Sequence, residues 1–438
     1  MNGIFFAIVL VAFGVAGWRE IVWQAPATGD AVSPMQALAK AMVDTAGSSV
    51  TLAIGLIGVM ALFLGLMKVA EEGGMLTIIA KTIRPLMVRL FPDVPPDHPA
   101  MGAMILNMSA NALGLGNAAT PFGIRAMQEL DRLNPYKGTA SNSMALFLAI
   151  NTSSVTLLPT GVIALRAAAG SHDPAGILPT TLFATVCSTT VAIVMCLILQ
   201  RRWRSSADVT PPHDVETTES PSSGAPADGD AATAAGDAYP GWVSVLALGA
   251  IVALIPLTIF YGRVISPWII PGLMVALLGF GVARKVRVYE AFVEGAKDGF
   301  SVAIKIIPYL VAILVAVGMF RASGALDVFV SAIGPVTSLV GMPPEALPMA
   351  LLRPLSGSGA YGILASIIQD PAIGPDSYTG YLVSTIQGST ETTFYVLAVY
   401  FGAIQIRRIR HALTAALCAD LAGIAGAVLI CSILYGGN

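Results

Sequence analysis

About nine times along this chain an apolar stretch runs for roughly the 20 residues that a helix needs to cross a ~30 Å hydrocarbon core. The stretches lie at 3–22, 49–67, 140–165, 177–199, 241–261, 267–283, 300–320, 379–404 and 412–435. Backbone polar groups at membrane depth must be satisfied within the protein, so repeated runs of this length predict an all-α integral membrane protein. The 438 residues are 55% hydrophobic and only 11% charged, which excludes a string of soluble domains. A net charge of −2, with the basic residues in short runs beside apolar spans, offers no nucleic-acid surface.

The first stretch reads as a span and not as a cleaved leader. Met1-Asn2-Gly3 carries no basic residue, and Trp18-Arg19 follows the apolar run as an interfacial anchor. The four cysteines, Cys187, Cys196, Cys418 and Cys431, all fall inside apolar spans without a CxxC spacing, as small core hydrophobes do.

Between 205 and 239 the composition turns to Pro, Ser, Thr, Ala, Gly and Asp, with seven acidic residues and no Lys or Arg. Such a segment cannot bury enough apolar surface to order itself, so a disordered linker is expected there. It separates an A half, 1–204, from a B half, 240–438.

The halves match when one is slid over the other. Ser49-Val50-Thr51-Leu52-Ala53-Ile54 answers Gly299-Phe300-Ser301-Val302-Ala303-Ile304, and Gly74-Met75-Leu76 answers Gly324-Ala325-Leu326, both at an offset of 250. Pro95-Pro96-Asp97 answers Pro343-Pro344-Glu345, and Ile150-Asn151-Thr152-Ser153-Ser154-Val155-Thr156 answers Ile386-Gln387-Gly388-Ser389-Thr390-Glu391-Thr392 at an offset of 236. The shared order of glycines, paired prolines and polar breaks marks an internal repeat.

Basic residues are retained on the cytoplasmic side, so their distribution orients the copies. After the first span of unit A come Lys68, Lys81, Arg84 and Arg89, against Arg321 alone in unit B. Before that span unit A has Lys40, whereas unit B has Arg284, Lys285, Arg287 and Lys297. The last loop offers Arg166 in A and Arg407, Arg408 and Arg410 in B; unit A ends in Arg201-Arg202-Trp203-Arg204, and unit B ends uncharged. Every comparison reverses, which predicts inverted copies. Two helices at 241–261 and 267–283 would supply the odd number of crossings that flips the second copy. The N-terminus and linker are then expected in the cytoplasm and the C-terminus in the periplasm or outside.

Segments 99–124 and 346–368 are apolar but interrupted, at Asn107–Asn117 and Arg353–Gly359. To preserve the charge pattern each must enter and leave on one side, as a re-entrant helical hairpin. Segments 74–91 and 325–340 alternate apolar and polar positions at helical spacing, which suits helices lying along the interface.

Irregular backbone at membrane depth is tolerated where it is buried in protein or lines a cavity, so the interrupted segments mark the candidate binding site. The hairpins contribute Asn107, Asn111, Asn117 and Thr120 in A, and Ser356 and Ser358 in B. Polar breaks within full crossings contribute Asn151, Ser153 and Ser154 in A, and Gln387, Ser389, Thr390, Glu391 and Thr392 in B. Hydroxyls, amides and freed backbone groups of this kind suit a neutral or zwitterionic polar solute, with a sodium ion or a proton as candidate coupling ion and no other cofactor. Taken singly, hydroxyls in membrane helices bond back to their own backbone, and it is their pairing across the repeat that favours a site. Glu391 is the sharpest residue, because a carboxylate deep in a crossing costs roughly 3 kcal/mol unless paired, protonated or hydrated. It either meets solute or ion, or pairs with Arg353 of the neighbouring hairpin. No HExxH, GxSxG or Walker A motif occurs, and His98, His172, His213 and His411 lie in loops or at span ends, so an enzyme is not expected.

The A half, with Ala103-Met104-Ile105-Leu106-Asn107, Gly116-Asn117-Ala118-Ala119-Thr120-Pro121-Phe122-Gly123 and Asn151-Thr152-Ser153-Ser154, resembles the spore maturation protein A family. The B half, with Arg353-Pro354-Leu355-Ser356-Gly357-Ser358-Gly359-Ala360 and Gly388-Ser389-Thr390-Glu391-Thr392-Thr393-Phe394-Tyr395, resembles the spore maturation protein B family. The chain thus looks like a fusion of the two, covering nearly everything outside the linker. Both are grouped with the nucleoside-recognition or Gate domain of concentrative nucleoside transporters and the ferrous-iron permease. The resemblance implies transport of a small polar solute such as a nucleoside, amino acid or dipeptide, with elevator-like or alternating access. It assigns solute contact to Thr390 and Glu391 most directly and to Asn117, Thr120, Ser356 and Ser358 more loosely. No cysteine stands at a hairpin tip, as an iron permease would need. The expected partners are the solute and the lipid bilayer of the cytoplasmic membrane, with a homo-oligomer left open. A membrane scaffold in envelope or spore maturation, or a channel, are the other readings.

Overall fold

The computed structural model describes residues 2–24, 32–114, 116–153, 156–202 and 239–436. The first half holds eight helices: α1 (Asn2–Ile21), α2 (Pro34–Glu72), α3 (Met75–Leu90), α4 (Pro99–Ala112), α5 (Gly116–Arg132), α6 (Asn142–Thr152), α7 (Thr160–Ala168) and α8 (Leu178–Arg202). The second half repeats the order with α9 (Gly241–Ala283), α10 (Val288–Ala322), α11 (Ala325–Ser338), α12 (Leu347–Leu352), α13 (Gly357–Ile368), α14 (Tyr378–Ser389), α15 (Thr393–Ala403) and α16 (Ala412–Tyr435). Among the described residues no named strand occurs, and one isolated bridge joins Thr139 to Arg408. By length and hydropathy α2, α8 and α16 each suffice to cross a membrane.

The repeat is written into the helix boundaries. Gly74 and Gly324, both at φ +80°, turn the chain into α3 and α11, a left-handed conformation that glycine adopts without steric cost. Ser141 and Ser377 cap α6 and α14, accepting from the amides of Met144 at 3.2 Å and Gly380 at 3.0 Å.

Equivalent helices of the two halves pack against each other, and they run antiparallel. A Cβ added at Gly299 of α10 would stand 2.7 Å from the Ala61 nitrogen of α2, one at Gly65 would stand 2.9 Å from the Phe292 carbonyl, and one at Gly318 would stand 2.6 Å from Thr45 Oγ1. Contact positions therefore fall on one helix as they rise on the other, with glycine where backbones touch. On α8 and α16 the same holds: Ser188 Oγ donates to the Ala419 carbonyl at 2.8 Å, and Tyr435 OH donates to the Gly176 carbonyl at 2.9 Å. Antiparallel pairing of equivalent helices is the geometry of inverted repeats.

The hydrophobic cores do not respect the halves. One joins α4, α5 and α6 to Val396, Tyr400 and Phe401 of α15, and another joins α12, α13 and α14 to Val162, Ile163 and Leu165 of α7. Each hairpin is thus packed between one segment of its own broken crossing and one segment of its counterpart's.

In three places the structure differs from expectation. The stretches 241–261 and 267–283 are joined into one continuous helical element, α9. A straight 43-residue helix would be about 65 Å long. Yet the Tyr239 amide donates to the Lys81 carbonyl at 3.4 Å, while Phe280 and Gly281 at the other end meet Gly73 and Val69, so the element bends back. Pro256, Pro267 and Pro271 fall within it, and each weakens the helical ladder. Second, the A hairpin stays helical through Ala112, so Asn107 and Asn111 stand on α4 and not in an unwound tip. Third, Arg166 is no loop charge: it sits on α7 with 0% exposure. The linker expected over 205–239 lies outside the described residues except for Tyr239.

Candidate functional site

Both full crossings break at the same place, α6 giving way at Ser153 and α14 at Thr390. A helix that stops leaves carbonyls without intrahelical partners, and these must be satisfied nearby. The Glu391 amide donates to the Thr152 carbonyl at 2.8 Å, joining the two breaks directly. Each break also holds its own hairpin: the Leu157 amide donates to the Ala112 carbonyl at 3.0 Å, and the Phe394 amide donates to the Pro354 carbonyl at 3.1 Å.

On the B side Arg353, at the tip of the α12–α13 hairpin, organises the break. Its Nη1 donates to Thr392 Oγ1 at 3.0 Å, its Nη2 donates to the Thr390 carbonyl, and Glu391 Oε2 stands 3.7 Å from it. A guanidinium at the end of α14 also meets the negative end of that helix's dipole. Arg353 is buried, whereas the Glu391 side chain is 50% exposed, so the carboxylate keeps access to whatever enters.

On the A side an amide network spans four helices. Asn107 Nδ2 donates to the Ala119 carbonyl at 2.8 Å and to Tyr400 OH at 3.1 Å. Tyr400 OH in turn reaches Asn151 Oδ1 at 3.4 Å, which also accepts from Asn111 Nδ2 at 3.0 Å. Gly123 of α5 lies against the Tyr400 hydroxyl, where a side chain would collide.

The remaining expected positions divide. Gln387 is buried, and Thr390 packs its methyl group near Gly423. Ser153 and Ser389 bond back to carbonyls of their own helices, at Ala149 and Ile386, and Ser356 caps α13 by accepting from the Gly359 amide at 3.0 Å. Thr120 and Ser358 are half-buried. Ser154 and the side chain of Asn117 lie outside the described residues. Two buried acceptors in this region, Asn107 Oδ1 and Gln387 Oε1, have no hydrogen-bond partner within the protein. Since buried polar atoms are almost always paired, such atoms point to an exogenous group.

Sequence patterns did not single out Tyr400, Asp420 or Arg166. Asp420 of α16 accepts from Thr393 Oγ1 at 2.7 Å. Arg166 donates to Asp376 Oδ1 at 3.0 Å and to the Pro375 carbonyl at 2.6 Å, with its guanidinium 4.3 Å from the Tyr381 ring centroid. For Asp420, an acid inside an apolar run was the available signal. Among the described residues no group of three or more His, Cys, Asp or Glu is gathered as a metal site.

A family model described as nucleoside recognition, Gate, matches residues 53–169 and 303–407, half of the chain. Spore maturation protein B of Bacillus subtilis (strain 168) is 47% identical over 167 residues, which is 38% of this chain and 93% of that protein. Spore maturation protein A of the same organism is 47% identical over 161 residues, 37% of this chain and 82% of that protein. The inner membrane protein YjiG of Escherichia coli (strain K12) is 33% identical over 82 residues, 18% of this chain and 54% of its own length. Among solved structures, a double variant of CNTnw in an outward-facing state aligns over 100% of both chains with a TM-score of 0.45 and 12% identity. The Alcanivorax borkumensis YdaH transporter aligns over 98% of this chain and 97% of its own, with a TM-score of 0.43 and 15% identity.

Proposed function

Because this chain belongs to the nucleoside recognition Gate family, we propose that it is a membrane transporter that moves a small polar solute of nucleoside type across the cytoplasmic membrane. One observation carries this: two inverted units bring their helix breaks together at Glu391 and Thr152, beside buried polar atoms that the protein itself leaves unpaired. Asn107, Asn111 and Asn151 supply amides on one side, and Gln387, Thr390, Glu391 and Thr392 supply the other. A half-exposed carboxylate such as Glu391 accepts from solute hydroxyls, which nucleosides present in pairs. Alternating access follows if the hairpins move with the broken crossings. Under this proposal the N-terminus is cytoplasmic, the C-terminus lies outside, and a sodium ion or a proton drives uptake.

The names of the relatives favour a second reading, a scaffold acting in spore or envelope maturation without transport. A panel of nucleosides, amino acids and dipeptides separates the two. A transporter is stabilised against heat by its solute, since a ligand that binds only the folded state raises its stability. It then shows saturable uptake of that solute in proteoliposomes. No thermal shift and no uptake across the panel would leave the scaffold, and flux that never saturates would indicate a channel.

A further inference from the structure

Asp420 lies near the middle of α16 with 3% exposure. Its Oδ2 accepts from Thr393 Oγ1 at 2.7 Å in the first turn of α15, directly after the B-side break, and its Oδ1 has no partner. Arg353, the guanidinium of the adjoining B-side break, is committed to Thr392, the Thr390 carbonyl and Glu391. One donor of Arg353, Nε, is likewise unpartnered. The exposed carboxylate, Glu391, faces the guanidinium, and the buried one, Asp420, has a single hydroxyl for company.

A buried carboxylate in that position is costly as an ion and tolerable as an acid. The other titratable groups on the elements packed against α16 are Cys187, Cys196, Arg201 and Arg202 of α8, Tyr378 and Tyr381 of α14, and Tyr395 and Tyr400 of α15; α6 contributes none. His411, at the start of α16, stands nine residues from Asp420. The equivalent helix of unit A, α8, contains no acidic residue, and Val155 stands where unit B has Glu391, so both acids belong to one half.

We propose that Asp420 is a proton-binding site that couples proton movement to solute binding at the B-side break. The inference rests on the transport function proposed above. A proton taken from the outer aqueous face forms an O–H bond at Oδ1, while Thr393 keeps donating to Oδ2. Solute that engages Glu391 releases Arg353 toward Asp420, the O–H bond breaks, and the proton leaves to the cytoplasmic face.

Infrared spectroscopy of the purified full chain tests the site without any solute. The carbonyl stretch of a protonated carboxyl is expected in the wild type, shifted in Thr393→Val, absent in Asp420→Asn and diminished in Glu391→Gln, which frees Arg353 from its present carboxylate. A spectrum that Asp420→Asn leaves unchanged overturns the proposal. Proteoliposomes loaded against radiolabelled uridine test the coupling. The wild type accumulates uridine under an inward proton gradient, and Asp420→Asn loses that accumulation relative to its solute exchange. Gradient-driven accumulation that survives in Asp420→Asn reduces the residue to a structural acid and overturns the coupling role. Uridine that the wild type moves under no condition removes the coupling role together with the transport function, and the infrared band still decides whether Asp420 holds a proton.

Discussion

The amide of Glu391 donates to the carbonyl of Thr152 at 2.8 Å, tying the break of one crossing to the break of its inverted counterpart. The bond uses backbone alone, so it leaves the Glu391 side chain free to face Arg353 at 3.7 Å and the open site. Backbone fixes where the breaks meet, and side chains define what they meet around.

That division predicts different outcomes for the two partners of this ion pair. Glu391→Gln should abolish solute uptake with little loss of stability, because a half-exposed pair contributes only about 0.5 kcal/mol. Arg353→Met should lose uptake and about 2–3 kcal/mol together, since it strands the buried Thr390 carbonyl and Thr392 hydroxyl. Thermal denaturation beside proteoliposome flux separates them, and equal destabilisation would refute the assignment.

The antiparallel contact of α2 with α10 depends on backbone approach. Gly299→Ala places a methyl group 2.7 Å from the Ala61 nitrogen, and neither backbone can retreat as a flexible side chain would. A loss of about 1–3 kcal/mol is expected. Gly249→Ala serves as the control, because its added carbon meets nothing within 4 Å. The midpoints of the two variants in detergent check this.

Asp376 neutralises an arginine that has no access to water. Asp376→Ala leaves the guanidinium of Arg166, at 0% exposure, with hydroxyl and carbonyl partners but without the carboxylate it is bonded to. About 3 kcal/mol of stability should be lost. Arg166→Met in the Asp376→Ala background should recover much of it, which a double-mutant cycle measures.

His411 sets an acid limit. Burial and the adjacent Arg410 push its imidazole down to about 4, below the ~6.5 of an unfolded chain. Between those values the unfolded state binds more protons, so stability is full above pH ~6.5 and falls as pH drops toward 4. Thermal midpoints recorded across that window should decline, and His411→Gln should flatten the decline.

The helical class, the repeat, its inversion and the positions of the breaks were all legible in the residues, because each is a local property. Hydropathy over one span, a glycine ahead of a helix, or a run of basic residues beside a membrane face depends only on near neighbours in sequence. The A-hairpin tip is shorter than its residues suggest for the same reason: the asparagines at 107 and 111 look like breakers in isolation, yet the folded chain supplies Tyr400, Ala119 and Asn151 as partners for their amides and keeps them helical. Tertiary structure alone decided which residues meet. Asn107 finds Tyr400 across 293 positions and Arg166 finds Asp376 across 210, because each hairpin is packed by segments of both halves. No periodicity records such interlocking, since it arises from how two inverted units bury their breaks against each other.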